Sequence, residues 1–185
     1  MNKVAYIIPG LGESHLKQTG YKKIGRAFEE RGIKAVQVKI KWKYKKPIPF
    51  STYIEQFLKQ YKKVKNQDVY FLGFSFGAII ALAGAAKLKP KVLILCSLSP
   101  YFTEDLKTLN PEWVRWYRKY YTTSYAFKDL GPLISSKTYL LEGSKEIVFP
   151  KRKFKNSKKI IAPGAKHIIS SRPYIKTVLE LIAKL

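Results

Sequence analysis

The chain of 185 residues has one cysteine, Cys96. A lone thiol closes no internal disulfide, so the fold must rest on its packed core. Histidine is nearly as scarce, with only His15 and His167. No Cys/His/Asp/Glu spacing of the zinc type occurs, and no resident metal is expected. Long apolar runs are missing as well. The longest uninterrupted stretch near the middle covers residues 77–86, far short of the ~20 residues that span a bilayer. The opening "MNKVAYIIPG" passes directly into a short apolar strand and offers no cleavable leader. A cytoplasmic location is the expectation. Acidic side chains are the last shortage: 12 Asp and Glu stand against 36 Lys and Arg, a net charge of +24. Such a surface attracts polyanions. The runs "KIKWKYKK" (39–46) and "KRKFKNSKK" (151–159) carry much of the charge. Neither comes with a helix-turn-helix or an RNA-binding aromatic signature, so no specific nucleic acid is expected as a partner. The charge reads first as a solvated face, with weak association to anionic surfaces as the alternative. Oligomeric state is not legible.

Against these absences stand 46% hydrophobic and 14% aromatic residues, enough for a packed globular chain. One domain over residues 1–185 is expected. Short apolar, β-branched runs at 3–9, 34–40, 68–74, 91–97, 138–142 and 159–162 read as strands. Helical patterns at about 19–31, 51–64, 76–88 and 173–184 alternate with them. Ser51 is placed as the cap of the second helix. Strands apolar on both faces are buried parallel strands. Right-handed crossovers then give an α/β fold: a three-layer α/β/α sandwich around a mostly parallel six-stranded sheet.

The rhythm breaks between 99 and 136, where no strand appears. "NPEWVRWYRKYY" (110–121) begins with Asn110 as cap and Pro111 at the first helical position. Trp113, Trp116, Tyr117, Tyr120 and Tyr121 fall on one stripe of this helix. The segment reads as a small aromatic insertion, either packed on the domain or covering a binding site.

"GFSFG" (73–77) joins the third strand to the third helix. A serine at so sharp a turn takes a positive φ, and residues two positions away must be small. Gly73 and Gly77 meet that need. The turn lifts the Ser75 hydroxyl above the carboxyl edge of the sheet, opposite the N-terminus of the following helix. The motif in this setting marks a nucleophile.

At these residues the sequence resembles the α/β-hydrolase superfamily, over nearly the whole chain. The resemblance implies a reduced fold lacking the family's first two strands, ordered 2-1-3-4-5-6, and a triad in the order Ser…acid…His. His167, in "APGAKH", stands where the family places its base. His15 is the other histidine. Glu146, in "LLEGSKEIVFP", stands at the acid position, with Glu for the usual Asp; Glu142, Glu104 and Asp105 are its competitors. "PGLG" (9–12) resembles the family's "HGxG" loop, with Pro9 for the histidine. The resemblance therefore implies an oxyanion hole from the N–H groups of Leu11 and Phe76, with Gly12 the alternative to Leu11. Gly10 and Gly12 do not form a dinucleotide loop, because the third glycine position is His15. No cofactor is expected. The implied activity is a serine carboxylesterase on small acyl esters. Thioesterase, lactonase, lipase, amidase or acyltransferase chemistry is open to the same triad, and a non-catalytic basic binding protein is the other class. Gly10, Gly12, Trp113, Trp116 and Tyr117 are expected to wall a shallow substrate pocket, and Cys96 to be a core residue.

Overall fold

The structure is a computed structural model, and it describes residues 2–12, 19–43, 45–62, 65–122, 125–146 and 154–185. His15 and residues 151–153 of the second basic run lie outside them. The strands are β1 (Asn2–Ile8), β2 (Lys34–Gln37), β3 (Gln67–Phe74), β4 (Val92–Cys96), β5 (Lys137–Gly143) and β6 (Ser157–Ala162). The helices are α1 (Thr19–Glu30), α2 (Ser51–Gln60), α3 (Phe76–Leu88), α4 (Thr103–Leu106), α5 (Pro111–Tyr120), α6 (Phe127–Leu130) and α7 (Arg172–Ile182), with a short 3₁₀ turn at Gly131–Leu133.

All five strand pairings are parallel, in the order β2-β1-β3-β4-β5-β6. Alternate residues of a strand face opposite sides of a sheet, and the two faces build two cores. Val4, Tyr6, Ile8, Phe71, Leu93 and Leu95 pack with α2 and α3. Ala5, Ile7, Leu72, Ile94 and Leu141 pack with α1 and α7. The sandwich therefore has three layers. Helix α3 is apolar on nearly every side and is buried from Phe76 to Ala85, as a helix enclosed by other elements must be. Gly84 lets it approach α2 closely, since a Cβ there would lie 2.5 Å from the Phe57 ring.

Three expectations needed revision. Helix α2 begins with Ser51 inside it and Phe50 as cap residue, without a side-chain cap bond. The second strand ends at Gln37 rather than 40, because β1, its one partner, ends at Ile8. Beyond it, side chains of α2 take the place of a neighbouring strand. Gln60 accepts from Lys39 N–H at 2.9 Å and donates to Lys39 C=O at 2.8 Å, and Gln56 accepts from Lys41 N–H at 2.8 Å. The run still alternates: Lys39, Lys41 and Lys43 are exposed, while Ile40 is buried and Trp42 half-buried. The stripe of α5 is divided. Tyr117 and Tyr121 are buried, but Trp113 and Trp116 are not. Asn110 caps α5 as expected, accepting from Glu112 N–H at 2.8 Å.

Candidate active site

In an all-parallel sheet every strand delivers its following loop to one edge. The loops after β1, β3, β4, β5 and β6 therefore converge, and Leu11, Ser75, Glu146 and His167 lie on them. Ser75 sits between β3 and α3 with φ 55° and ψ −120°, a backbone region costly for any residue with a Cβ. Its N–H is held by Cys96 C=O at 2.8 Å. The flanking glycines are sterically required. A Cβ on Gly73 would stand 2.3 Å from Gly77 O, and one on Gly77 would stand 2.3 Å from Pro9 O.

His167 follows β6. Its Nε2 is 2.9 Å from Ser75 Oγ, and its Nδ1 is 3.2 Å from Glu146 Oε2. The ring rests on Phe74, with centroids 5.0 Å apart. The Glu146 side chain is 3% exposed and that of His167 38%. The loop carrying Glu146 is tied to the loop carrying His167: Lys145 N–H donates to Ala165 C=O at 2.9 Å and Ser144 N–H to Ala162 C=O at 3.0 Å. Gly143 permits this approach, since a Cβ there would lie 2.4 Å from Ala165 O. It would also lie 2.9 Å from Glu146 Oε1, so the extra methylene of a glutamate is accommodated by folding back over a glycine.

The other carboxylates are engaged elsewhere. Glu142 pairs with Lys159 at 2.6 Å. Glu104 accepts from the Phe127 and Lys128 N–H groups at 2.9 and 3.1 Å, at the start of α6. Asp105 is buried and accepts from Phe102 N–H at 3.1 Å, at the start of α4. Leu11 and Gly12 form a turn, with Gly12 at φ 73°, and Gly10 N–H donates to the Tyr21 hydroxyl at 3.0 Å. Phe76 is the first residue of α3, where helix geometry provides no carbonyl within the helix for the N–H. Rings of Phe50, Tyr101, Tyr117 and Tyr121 surround its ring with centroids 5.2–6.0 Å away, and Trp116 stands at 6.3 Å. Trp113 is farther out, against Tyr117 at 6.2 Å. Cys96 is fully buried, and burial pushes its thiol pKa well up. Among the described residues no cluster of three metal-ligating side chains occurs.

Three residues escaped the sequence reading. Ser99 Oγ lies 3.0 Å from Ser75 Oγ, and both are buried. Ser97, at φ 49°, donates to Glu146 Oε1 at 2.6 Å. Its single proton is thereby used, so in the 2.5 Å contact with the Tyr174 hydroxyl Ser97 accepts. The Tyr174 proton is shared with Leu141 C=O at 3.1 Å. The only signal in the sequence was "CSLSP", two small hydroxyl residues at the end of an apolar strand.

Burial raises the Glu146 carboxyl pKa, but hydrogen bonds from His167, Ser97 and Gly143 N–H outweigh it and leave the group below its ordinary value. A carboxyl lowered on folding adds stability above the unfolded value, about 4.5, and loses it as pH falls through the folded one. The stability difference between the parent protein and Glu146→Gln should then shrink as pH falls below about 4.5. Denaturant unfolding of both proteins across that range tests this. A gap that widens below about pH 4.5 would contradict the assignment.

The six-stranded parallel sheet, covered by helices on both faces and carrying a serine at its third strand-to-helix turn, has the α/β-hydrolase fold. Solved structures agree. Est1E from Butyrivibrio proteoclasticus, with ferulic acid bound, superposes with a TM-score of 0.76 at 16% identity, over 98% of this chain and 87% of that one. An α/β serine hydrolase homologue from Coxiella burnetii gives 0.69 at 18% identity, over 99% and 84% of the two chains. The thioesterase domain from the curacin biosynthetic pathway gives 0.72 at 14% identity, over 100% and 92%. No family model matches the sequence, and no curated protein does.

Proposed function

We propose that the protein is a serine hydrolase that cleaves carboxylic esters of short acyl groups. The observation that carries this reading is the continuous hydrogen-bonded line Glu146–His167–Ser75, ending on a serine held at positive φ. Glu146 accepts from His167 Nδ1–H, which leaves Nε2 as the acceptor for the Ser75 proton. Ser75 Oγ attacks the ester carbonyl carbon as His167 takes its proton. The N–H groups of Phe76 and Leu11 hold the developing oxyanion, each worth roughly 10²–10³ in rate. His167 returns the proton to the leaving alcohol. Water, deprotonated by His167, then attacks the acyl-enzyme and releases the acid. Ser97 and Tyr174 stand behind Glu146 as positioning residues, and Ser99 fixes the Ser75 rotamer. Residues 1–185 act as one domain, with 99–136 as a small cover.

The substrate class follows from that cover. Tyr117 and Tyr101 pack rigid rings against Phe76 and fill the room beside it, and the segment must also return the chain to β5. It leaves a shallow apolar site in which a long acyl tail lies in water. Further methylenes would then add little of the ~0.8 kcal/mol that burial of each supplies. Measuring kcat/KM for aryl esters of two to sixteen carbons (about the range from acetate to palmitate), beside thioesters and lactones, tests the reading. The expected profile peaks at short acyl oxygen esters. A peak at long chains overturns the shallow site, and a strong preference for thioesters moves the reaction to that class. No turnover of any of them, without labelling by a fluorophosphonate, leaves a hydrolase fold used for binding.

A further inference from the structure

Helix α5 offers two indoles to solvent: Trp113 is 42% exposed and Trp116 40%. With Glu112 they line an open hollow of about 460 Å³. The packing around Phe76 does not need this exposure, because Tyr101, Tyr117 and Tyr121 already cover that ring from the inside. Large apolar side chains left uncovered together mark a surface that meets something.

The helix that carries this patch is basic, with Lys119 the cation next to Trp116 on its surface. Arg115, Arg118 and Lys119 on the same helix are exposed. The end of α5 is also laced to the first lysine-rich run. Ile48 N–H donates to Tyr120 C=O and Thr122 N–H to Ile48 C=O, both at 3.3 Å. That join brings exposed Lys45 and Lys46 beside the helix. Across residues 39–48 and 111–120, Glu112 is the only carboxylate. Indoles settle at the headgroup level of a bilayer, and Lys and Arg around them reach anionic headgroups. Single-stranded nucleic acid also uses aromatics and cations, but stacks its bases along a groove that follows the backbone. Here both indoles project from one side of a single helix.

We propose that α5 docks the protein on an anionic lipid bilayer, with Trp113 and Trp116 seated among the headgroups and the long cationic side chains of the helix and of residues 45–46 reaching their charges. The docked face adjoins the site, because the Trp116 ring lies 6.3 Å from that of Phe76, the neighbour of Ser75. The inference goes beyond the hydrolase reading, and docking does not need the Ser75 chemistry.

The chain has three tryptophans, so Trp42→Phe leaves both emitters on α5. With phosphatidylglycerol vesicles at low salt, this variant should co-sediment and its emission should shift to the blue. Pure phosphatidylcholine vesicles should do neither. Replacing both Trp113 and Trp116 by Ser should lower partitioning by about tenfold or more. The pair Arg115→Glu and Lys119→Glu should do likewise with the indoles intact, and carries the test if the double Ser variant does not fold by circular dichroism. Failure to bind phosphatidylglycerol vesicles overturns the proposal, as does undiminished binding by either pair. Quenching of the α5 indoles by a single-stranded oligoribonucleotide at lower concentration than by vesicles would assign the face to nucleic acid instead. Fluorophosphonate labelling of Ser75 without lipid reads the hydrolase proposal separately.

Discussion

Ser75→Ala and His167→Ala should each lower ester turnover by roughly 10⁴-fold or more, with nearly the same residual rate, because a nucleophile and its base, the roles proposed for them, fail as a unit. Ser75→Ala also abolishes fluorophosphonate labelling. Glu146→Gln costs roughly 10²–10⁴-fold, since the amide can present its NH₂ to Nδ1 and favour the wrong tautomer. Glu142→Gln, Glu104→Gln, Asp105→Asn and His15→Ala stay within about tenfold of the parent per folded molecule. The ordering rests on contacts. Glu146 Oε2 meets His167 Nδ1, while Glu142 is spent on Lys159, and Glu104 and Asp105 hold the starts of short helices. Steady-state kinetics on the whole set, beside the labelling yield, decides. A severe loss at Glu142 with near-normal turnover in Glu146→Gln would move the acid. An equal loss at His15 and His167 would remove the case for His167 as sole base.

Gly77→Ala should be among the most damaging single substitutions in the chain. The new Cβ would stand 2.3 Å from Pro9 O and 2.5 Å from Ile8 O. Both neighbours are main chain, and Ile8 is the last residue of a strand paired on both sides. Neither can swing aside as a side-chain tip would. The expected loss is about 4 kcal/mol or more, which for a chain of this size lowers Tm by roughly 8–16 °C. Gly32→Ala is the control. It has φ 67° but nothing within 4 Å of the added carbon, so only backbone strain of about 1 kcal/mol applies. Thermal melts of the two variants separate crowding from strain. A Gly77→Ala protein melting within a few degrees of Gly32→Ala would mean that the turn can relax, and that the glycine is not sterically imposed.

The features readable in the sequence are those set by short-range rules. The Ser75 turn announces itself through Gly73 and Gly77, although only the crowding at Gly73 is local; at Gly77 it comes from Ile8 and Pro9, and the sequence shows just the glycine that answers it. The parallel sheet follows from apolar runs separated by helices, while the order of its strands is what the family resemblance implies. Ser75, Glu146 and His167 meet because each follows a strand of one parallel sheet, so chain order alone carries them to the same edge. What escaped depends on partners far away in sequence. Ser97 matters only because β5 sets its loop beside it, and Tyr174 because α7 crosses the sheet there. The α5 stripe reads as one face, but periodicity cannot tell which of its members find a neighbour. Tyr117 lands on Phe76 and Tyr101, while Trp113 extends past the last packed ring. The end of β2 was misjudged for a related reason. The alternation in 39–43 is real, but whether it becomes a strand depends on what lies alongside.

What lies alongside is the amide of a helix side chain, and this bears on how the protein behaves in a crowded solution. A parallel sheet that ends in an open margin invites a strand from another molecule to continue it. Past Gln37, the outward main-chain groups of Lys39 are both taken by one glutamine and that of Lys41 by another. A foreign strand would have to displace three bonds to a neighbour tethered in the same chain. At the opposite margin, β6 exposes Lys158 and Lys159, the latter tied to Glu142. A second copy arriving there would bring its own lysines against these. Past β2 the outward groups are capped by surrogate amides, and at the opposite margin charge stands in the way of a further strand.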